Sequence, residues 1–405
     1  MRETRLDNGV RLVTERTPGV RSVAAGVWLK QGSAHESSSV LGISHLLEHL
    51  VFKGTERRSA HEIALSLESL GGALDAYTTR EHTSYQARVL DEHLPEALDV
   101  LADIVLHPRL DPMDLDLERG VVLEEIASVE DTPDDLIFDL YGVRFWNGHP
   151  YGQEILGTRE TVNTLEIEDV RRLHADEYRG GNIVVACVGN VEHEVVADHV
   201  SRLFGPAPAG DPCPEIDPPS GNATGRDTVL RDTAQAHLVV GNRTPPHTDP
   251  VREALILISD AFGGGMSSRL FQRIREEMAL AYSVFAYQSF YSLAGSAGVY
   301  VGTRPEALEK ALDAILAEYR LLHRKGLTAL ELERAKNQGR GHMILSMEST
   351  GARLLRLAGF ALRGEPYQEL EESLARVDAV TLDEVNEACV RFFDPEDQYV
   401  LSLGP

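Results

Sequence analysis

Cysteine is scarce in this chain, with three in 405 residues at positions 187, 213 and 389. Their odd number, wide spacing and lack of any C-x-x-C exclude a disulfide framework and a cysteine zinc site. Cys187, inside "NIVVACVGN", reads as a small core residue of a buried strand. Basic residues are also under-represented: 39 Lys and Arg stand against 64 Asp and Glu, a net charge of −25. That deficit argues against a nucleic-acid partner, because phosphate binding needs basic patches. No apolar run approaches the roughly 18 residues that span a bilayer, so no membrane segment is expected. The opening "MRETRLDNGVRLVTE" has no apolar signal core and no Arg-rich, acid-poor leader character, and it alternates like a strand. The expected location is the cytoplasm.

What is present is globular composition, 42% hydrophobic and 25% charged, in a chain long enough for two or three domains. "GVRLVTERT", "RSVAAGVWLKQGS" and "YQARVL" read as strands. "SAHEIALSLESLGG", "EHLPEALDVLADIVLHP" and "MDLDLERGVVLEEIASVED" read as helices. Residues 205–226 hold six prolines and four glycines, a density that helices and interior strands do not tolerate. They predict a linker at 209–226 between domains at 1–208 and 227–405. The halves resemble each other: "VRRLHADEYRGGNIVVACVGN" and "VNEACVRFFDPEDQYVLSLGP" each read as helix, turn and apolar strand ending in Gly, and "AQAHLVVGNRTPP" resembles the strand "RSVAAGVWLKQGS". The pattern predicts an α+β fold of two duplicated domains, each a mostly antiparallel sheet packed with helices.

The stretch "GISHLLEHLVFKGT" carries the chemistry. On a helix, His45 and His49 share one face a turn apart, a spacing at which two imidazoles can bind one tetrahedral zinc. Glu48 projects near that face and is placed to take a proton from a water there. H-x-x-E-H is the inverted form of the H-E-x-x-H zinc motif. Taken alone, it is also compatible with a surface helix that carries two histidines. The apolar positions Ile43, Leu46, Leu47, Leu50 and Phe52 favour a partly buried helix, whose histidines need partners. Glu118 and Glu125 lie seven apart in "LERGVVLEEIASVE", on one face of a second helix, while Glu124 points elsewhere. Either solvated helix glutamates or a third ligand fit that spacing.

"GSAHESSSVLGISHLLEHLVFKGT" resembles the inverted-zinc-motif metallopeptidases of the pitrilysin and insulinase family, in Gly32, Gly42, Ser44, His45, Glu48, His49, Gly54 and Thr55. Positions 50–124 separate His49 from Glu125, which matches the family's distance to a second helix with two glutamates seven apart. The resemblance implies one Zn²⁺ per chain held by His45, His49 and Glu125, with Glu48 as general base and Glu118 holding a ligand in place. "GGALDAYTTREHTSYQARV" resembles the family's edge strand beside the zinc, where an extended peptide adds as a further strand, at Asp75 and Ala76 here. Members usually have Asn where this chain has Asp75, and an ionised Asp cannot donate a hydrogen bond.

"FGGGMSSRLFQRIREEMALAYSV" lacks the G-x-x-x-x-G-K-[ST] of a nucleotide loop. It resembles the family's Arg and Tyr pair, seven apart. The resemblance implies that Arg275 and Tyr282 bind the peptide backbone and that Tyr282 helps stabilise the oxyanion. Two domains amount to one half of the family's clam-shaped long members, and short members dimerise. This chain carries both residue sets, which implies a self-sufficient homodimer whose zinc site faces Arg275 and Tyr282 of the partner. The implied activity is zinc-dependent endopeptidase action on unfolded or short peptides. The alternatives are a non-catalytic scaffold of the same fold, which the intact His45, Glu48, His49 and Glu125 oppose, and a processing peptidase that needs a different partner chain.

Overall fold

The computed structural model describes residues 1–214, 216–221 and 223–405. The chain forms two compact units: residues 1–127, 153–216 and 345–367 make the first, and 128–152, 217–344 and 368–405 make the second.

The sheet of the first unit contains β1 (Arg2–Arg5), β2 (Arg11–Arg16), β3 (Ser22–Leu29), β4 (Ala73–Thr78), β5 (Thr83–Leu90) and β6 (Ile183–Gly189). Their order is β1-β2-β6-β3-β5-β4, which leaves β4 at an edge. Only β2 and β6 run parallel; the other pairs are antiparallel. Alternation along the strands sends two sets of apolar side chains to opposite faces. Leu12, Val23, Ala25, Val27, Leu29, Val185 and Cys187 join the larger core, with the helices Ile43–Leu50, Leu94–Leu106 and His193–Phe204. Val13, Ala24, Trp28, Val184, Ala186 and Val188 point the other way and meet Leu354, Leu357, Ala358 and Ala361.

The second unit's sheet contains β7 (Gly225–Leu230), β8 (Ala236–Thr244), β9 (Ala281–Phe290), β10 (Gly295–Thr303) and β11 (Tyr399–Gly404), in the order β7-β11-β8-β10-β9. Here too one pair, β7 and β11, is parallel. Numbering each unit's strands from β2 and from β7 gives the order 1-5-2-4-3 both times, so the two sheets share one topology. The duplication read from the sequence is therefore a duplication of fold, and the α+β class holds.

The units do not follow a single cut at the Pro- and Gly-rich segment. The helix Thr350–Arg363 belongs to the first unit, and the helix Pro133–Phe145 belongs to the second. The reason is apolar coverage. Leu354 and Leu357 cover the face of Trp28, and Phe138 stacks against Phe285 and Tyr300 in the second sheet. Between Phe204 and Gly225 the described residues form no helix or strand. Among the described residues, no helix is long and apolar enough to cross a membrane.

Candidate active site

The histidine helix Ile43–Leu50 starts at Gly42, whose φ of +89° puts it in the left-handed region. A Cβ at Gly42 would also lie 2.5 Å from the Leu156 carbonyl oxygen. The first turn is capped from a distance: the backbone N–H groups of Gly42 and Ser44 donate to the Glu36 carboxylate at 2.7 and 2.8 Å. Burial pushes the Glu36 carboxyl up to about 7, against the pull of those donors. Leu46, Leu47 and Leu50 lock the helix into the core, which leaves His45, Glu48 and His49 along its remaining side.

Residues just past the motif anchor it to the glutamate helix Pro112–Glu130. Thr55 bridges to Pro108, and its hydroxyl donates to buried Asp103 at 2.8 Å. The Arg109 N–H donates to the Gly54 carbonyl at 2.9 Å. The chain entering the second helix is thus pinned to the loop that leaves the first, so a separation of many residues in sequence becomes contact in space.

The two helices bring five side chains together. Glu125 Oε2 lies 3.6 Å from His45 Nε2, and Glu125 Oε1 lies 3.6 Å from His49 Nε2. The histidine rings meet edge-on at 4.6 Å between centroids. His49 Nδ1 lies 3.0 Å from Glu118 Oε2. A carboxylate only accepts, so the proton of His49 sits on Nδ1 and the lone pair on Nε2 faces Glu125. Glu118 is buried, and Lys53 Nζ approaches its other oxygen at 2.5 Å. Burial, and then the nearness of a second imidazole at His49, pulls the His45 pKa down to about 4, which keeps its imidazole neutral.

This arrangement is costly by itself and fits a bound cation. His45 Nδ1 is buried with no hydrogen-bond partner among the described residues, and the opposite nitrogen, Nε2, faces the Glu125 carboxylate at 3.6 Å, beyond hydrogen-bond reach and open to a cation between them. The separations of 3.6 Å exceed a hydrogen bond but approach the edge of about 3.4 Å expected of a tetrahedron with metal–ligand bonds of about 2.1 Å. Two neutral imidazoles and one carboxylate form a zinc-type donor set. Among the described residues, His45, His49 and Glu125 make the one group of His, Cys, Asp and Glu whose donor atoms converge within 4.8 Å.

Glu48 is mostly buried beside this group, and the Thr78 hydroxyl donates to its Oε2 at 2.5 Å. Burial raises the Glu48 pKa, the Thr78 bond and the charge of His49 oppose the rise, and Glu125 and Asp75 add to it. Asp75 and Ala76 lie on β4, the edge strand, as expected. The Asp75 carboxylate accepts from the Ala76 N–H at 3.0 Å, so the Asp side chain bonds its own strand.

Arg275 and Tyr282 belong to the second unit, in the π-helix Phe271–Glu277 and at the start of β9. They are neighbours. The guanidinium carbon lies 4.6 Å from the Tyr282 ring centroid and 4.7 Å from that of Phe271, and Arg275 Nη1 donates to the Tyr282 carbonyl at 3.0 Å. Tyr282 is 79% exposed.

Sequence reasoning did not identify Glu36, Lys53 or Thr78 around these groups. Lys53 lies in the quoted motif and Glu36 six residues before Gly42, yet nothing in their spacing marks them. Their roles depend on contacts across separate elements.

Two family models match the chain. Residues 11–159 match the insulinase family, peptidase family M16, and residues 164–338 match the M16 inactive domain. An uncharacterized zinc protease of Bacillus subtilis is 39% identical over 98% of this chain and 96% of its own length. One of Streptomyces coelicolor is 39% identical over 95% of this chain and 85% of its own. Among solved structures, a peptidase M16 inactive domain from Pseudomonas fluorescens has a TM-score of 0.94 at 19% identity, covering 100% of this chain and 97% of that one. A protease from Helicobacter pylori has a TM-score of 0.91 at 23% identity, covering 100% and 99%. At those identities the structures speak for the fold, and the curated relatives speak for the family: the chain belongs to the insulinase family of peptidases, family M16.

Proposed function

We propose that this chain is a zinc-dependent endopeptidase that cleaves short or unfolded peptides. The observation that carries the proposal is the convergence of His45, His49 and Glu125 donor atoms beside a buried Glu48. His45 and His49 would hold one zinc through Nε2 and Glu125 through its carboxylate, with Glu118 and Lys53 fixing the ring of His49. Zinc bound there supplies a Lewis acid that polarises a water and the scissile carbonyl.

The chain's own groups do the rest. Glu48 Oε2 is occupied by Thr78, so Oε1 takes the proton from the attacking water and later passes it to the leaving amine. Its burial favours the protonated form and suits a group that must hold a proton between two steps. The peptide lies along the free side of β4 as an added strand, with main-chain hydrogen bonds near Asp75 and Ala76. Such binding needs an extended substrate, which a folded protein does not present.

Arg275 and Tyr282 would come from a second copy in a homodimer. Arg275 would engage the peptide backbone, and the Tyr282 hydroxyl would donate to the carbonyl oxygen as charge builds on it. The exposure of Tyr282 supports this use.

The test is hydrolysis of an internally quenched peptide by wild type and Glu48→Gln, with zinc measured on both. The expected result is cleavage by wild type, a loss of about 10²- to 10⁴-fold in Glu48→Gln, and equal zinc. A variant that cleaves as well as wild type would refute the role of Glu48.

A further inference from the structure

We propose that Thr78 is a positioning residue for Glu48, and that it couples the general base to the strand on which the peptide is laid. The inference rests on the endopeptidase reading above. Thr78 closes β4, the edge strand, and pairs in register with Thr83 at the start of β5. Its Oγ1 lies 2.5 Å from Glu48 Oε2 and 3.3 Å from Thr83 Oγ1.

Proton bookkeeping assigns the directions. Glu48 as a carboxylate only accepts, so Thr78 donates to it. The Thr83 hydroxyl donates to the Gln31 carbonyl at 2.9 Å, so it has no proton left for Thr78. The Gln31 side chain in turn donates to Ser44 Oγ at 3.3 Å, one residue before His45. Both hydroxyl protons are thus committed, so Thr78 and Thr83 meet at 3.3 Å as packed neighbours and not as a hydrogen bond: Thr78 donates to Glu48, while Thr83 is tied through Gln31 to the histidine helix at Ser44. Gln31, Ser44 and Thr83 are each no more than 2% exposed, so water does not compete for these bonds.

The consequence is geometric. A peptide that extends the sheet at β4 takes its register from that strand, and the base takes its orientation from the last side chain of the same strand. Thr78 therefore holds Glu48 Oε1 at a set height relative to the bound peptide. It also keeps the carboxylate from rotating toward the two histidines. Neither the peptide-binding residues nor the metal donors include Thr78, so its loss should leave both functions intact and slow only the chemical step.

The experiment compares wild type, Thr78→Val, Thr78→Ser and Glu48→Gln as full-length chains, measuring zinc content, KM and kcat on one quenched peptide. Val keeps the shape and strand preference of Thr and removes the hydroxyl. The expected result for Thr78→Val is a kcat lower by about ten- to a hundredfold, the size of a hydrogen bond to a charged group, with zinc content and KM unchanged. Thr78→Ser should recover most of the loss, because the donor is restored. Thr83→Val, which leaves the Thr78–Glu48 bond in place, should lower kcat less than Thr78→Val.

The proposal is overturned if Thr78→Val keeps the wild-type kcat. It is also overturned if Ser is no better than Val, or if the defect appears in KM or zinc content. Activity in wild type with a dead Glu48→Gln shows that the endopeptidase reading stands in those cases. A wild type that cleaves nothing overturns that reading, and the role of Thr78 with it.

Discussion

The helix that follows β3, Ile43–Leu50, presents His45, Glu48 and His49. The helix at the same topological place in the second unit, Arg252–Gly263 after β8, presents Leu255, Leu257, Ile258 and Phe262 to its core and carries no histidine. Glu118 and Glu125 on Pro112–Glu130 face the histidines. On the matching helix Ala329–Ser346, Glu331 is engaged with Arg269 and with the N–H and hydroxyl of Thr328. One topology thus holds a convergent donor set in one copy and an ordinary ion pair in the other. The sheet supplies the frame, and a handful of side chains supply the chemistry.

The comparison breaks most visibly at the ligands. His45→Ala or Glu125→Ala should abolish zinc retention and reduce peptide cleavage to background, while Asp260→Ala on Arg252–Gly263, the counterpart of the histidine helix, should leave zinc content unchanged. Metal analysis after gel filtration reads both. A zinc loss in Asp260→Ala would show that the second unit shares in the site.

Packing gives the next largest effect. Leu357→Ala, in the helix that covers Trp28, should destabilise the chain by about 2–5 kcal/mol. Phe138→Ala, in the helix that covers Tyr300, should cost less, about 1–3 kcal/mol, because Phe138 is only partly buried. Denaturant midpoints measure both; values under about 0.5 kcal/mol, the size of a surface change, would show that these helices do not belong to the sheets they cover.

Glu118→Gln should keep the shape and remove the charge opposite His49. Zinc affinity, measured by chelator competition, should fall by about 10- to 100-fold. An unchanged affinity would show that Glu118 is a bystander.

The smallest effect is one of sign, and it contrasts buried Glu36 with half-buried Glu331. Glu36 sits at about 7 in the fold against an ordinary value of 4.5, because burial outweighs its backbone donors. Between those values the folded chain holds more protons than the unfolded one, so this contribution is present below about 4.5 and lost as pH rises to about 7. Glu331 behaves oppositely. Burial pushes it up, but the Arg269 and Thr328 bonds together overcome burial and hold it down at about 2. Its contribution is present above 4.5 and lost as pH falls toward about 2. Melting temperatures across pH should therefore flatten on the neutral side in Glu36→Gln and on the acid side in Glu331→Gln. Exchanged effects would contradict the assignment.

Much of this was legible in the sequence, because periodicity and spacing are local rules. His45 and His49 at i and i+4, Glu118 and Glu125 two turns apart, and the alternation of β2, β3 and β5 all survive as read. The duplication was legible in the closing strands of the halves, β6 and β11. Other features were hidden for a physical reason. Nothing local says that Leu354 and Leu357 cover Trp28, since an amphipathic helix does not announce which sheet it will cover. The same holds for Thr78, Lys53 and Glu36, whose partners are set by tertiary contact. Asp75 was visible as a departure, but only the structure shows its carboxylate bonded to the Ala76 N–H.

Of two like-folded units, one brings together a metal donor set and, among the described residues, the other does not. Zinc stoichiometry of the purified chain, wild type beside His45→Ala, tests it most directly. The expected result is one zinc per chain in wild type and none in the variant. Two per chain, none in wild type, or zinc retained by His45→Ala would contradict it.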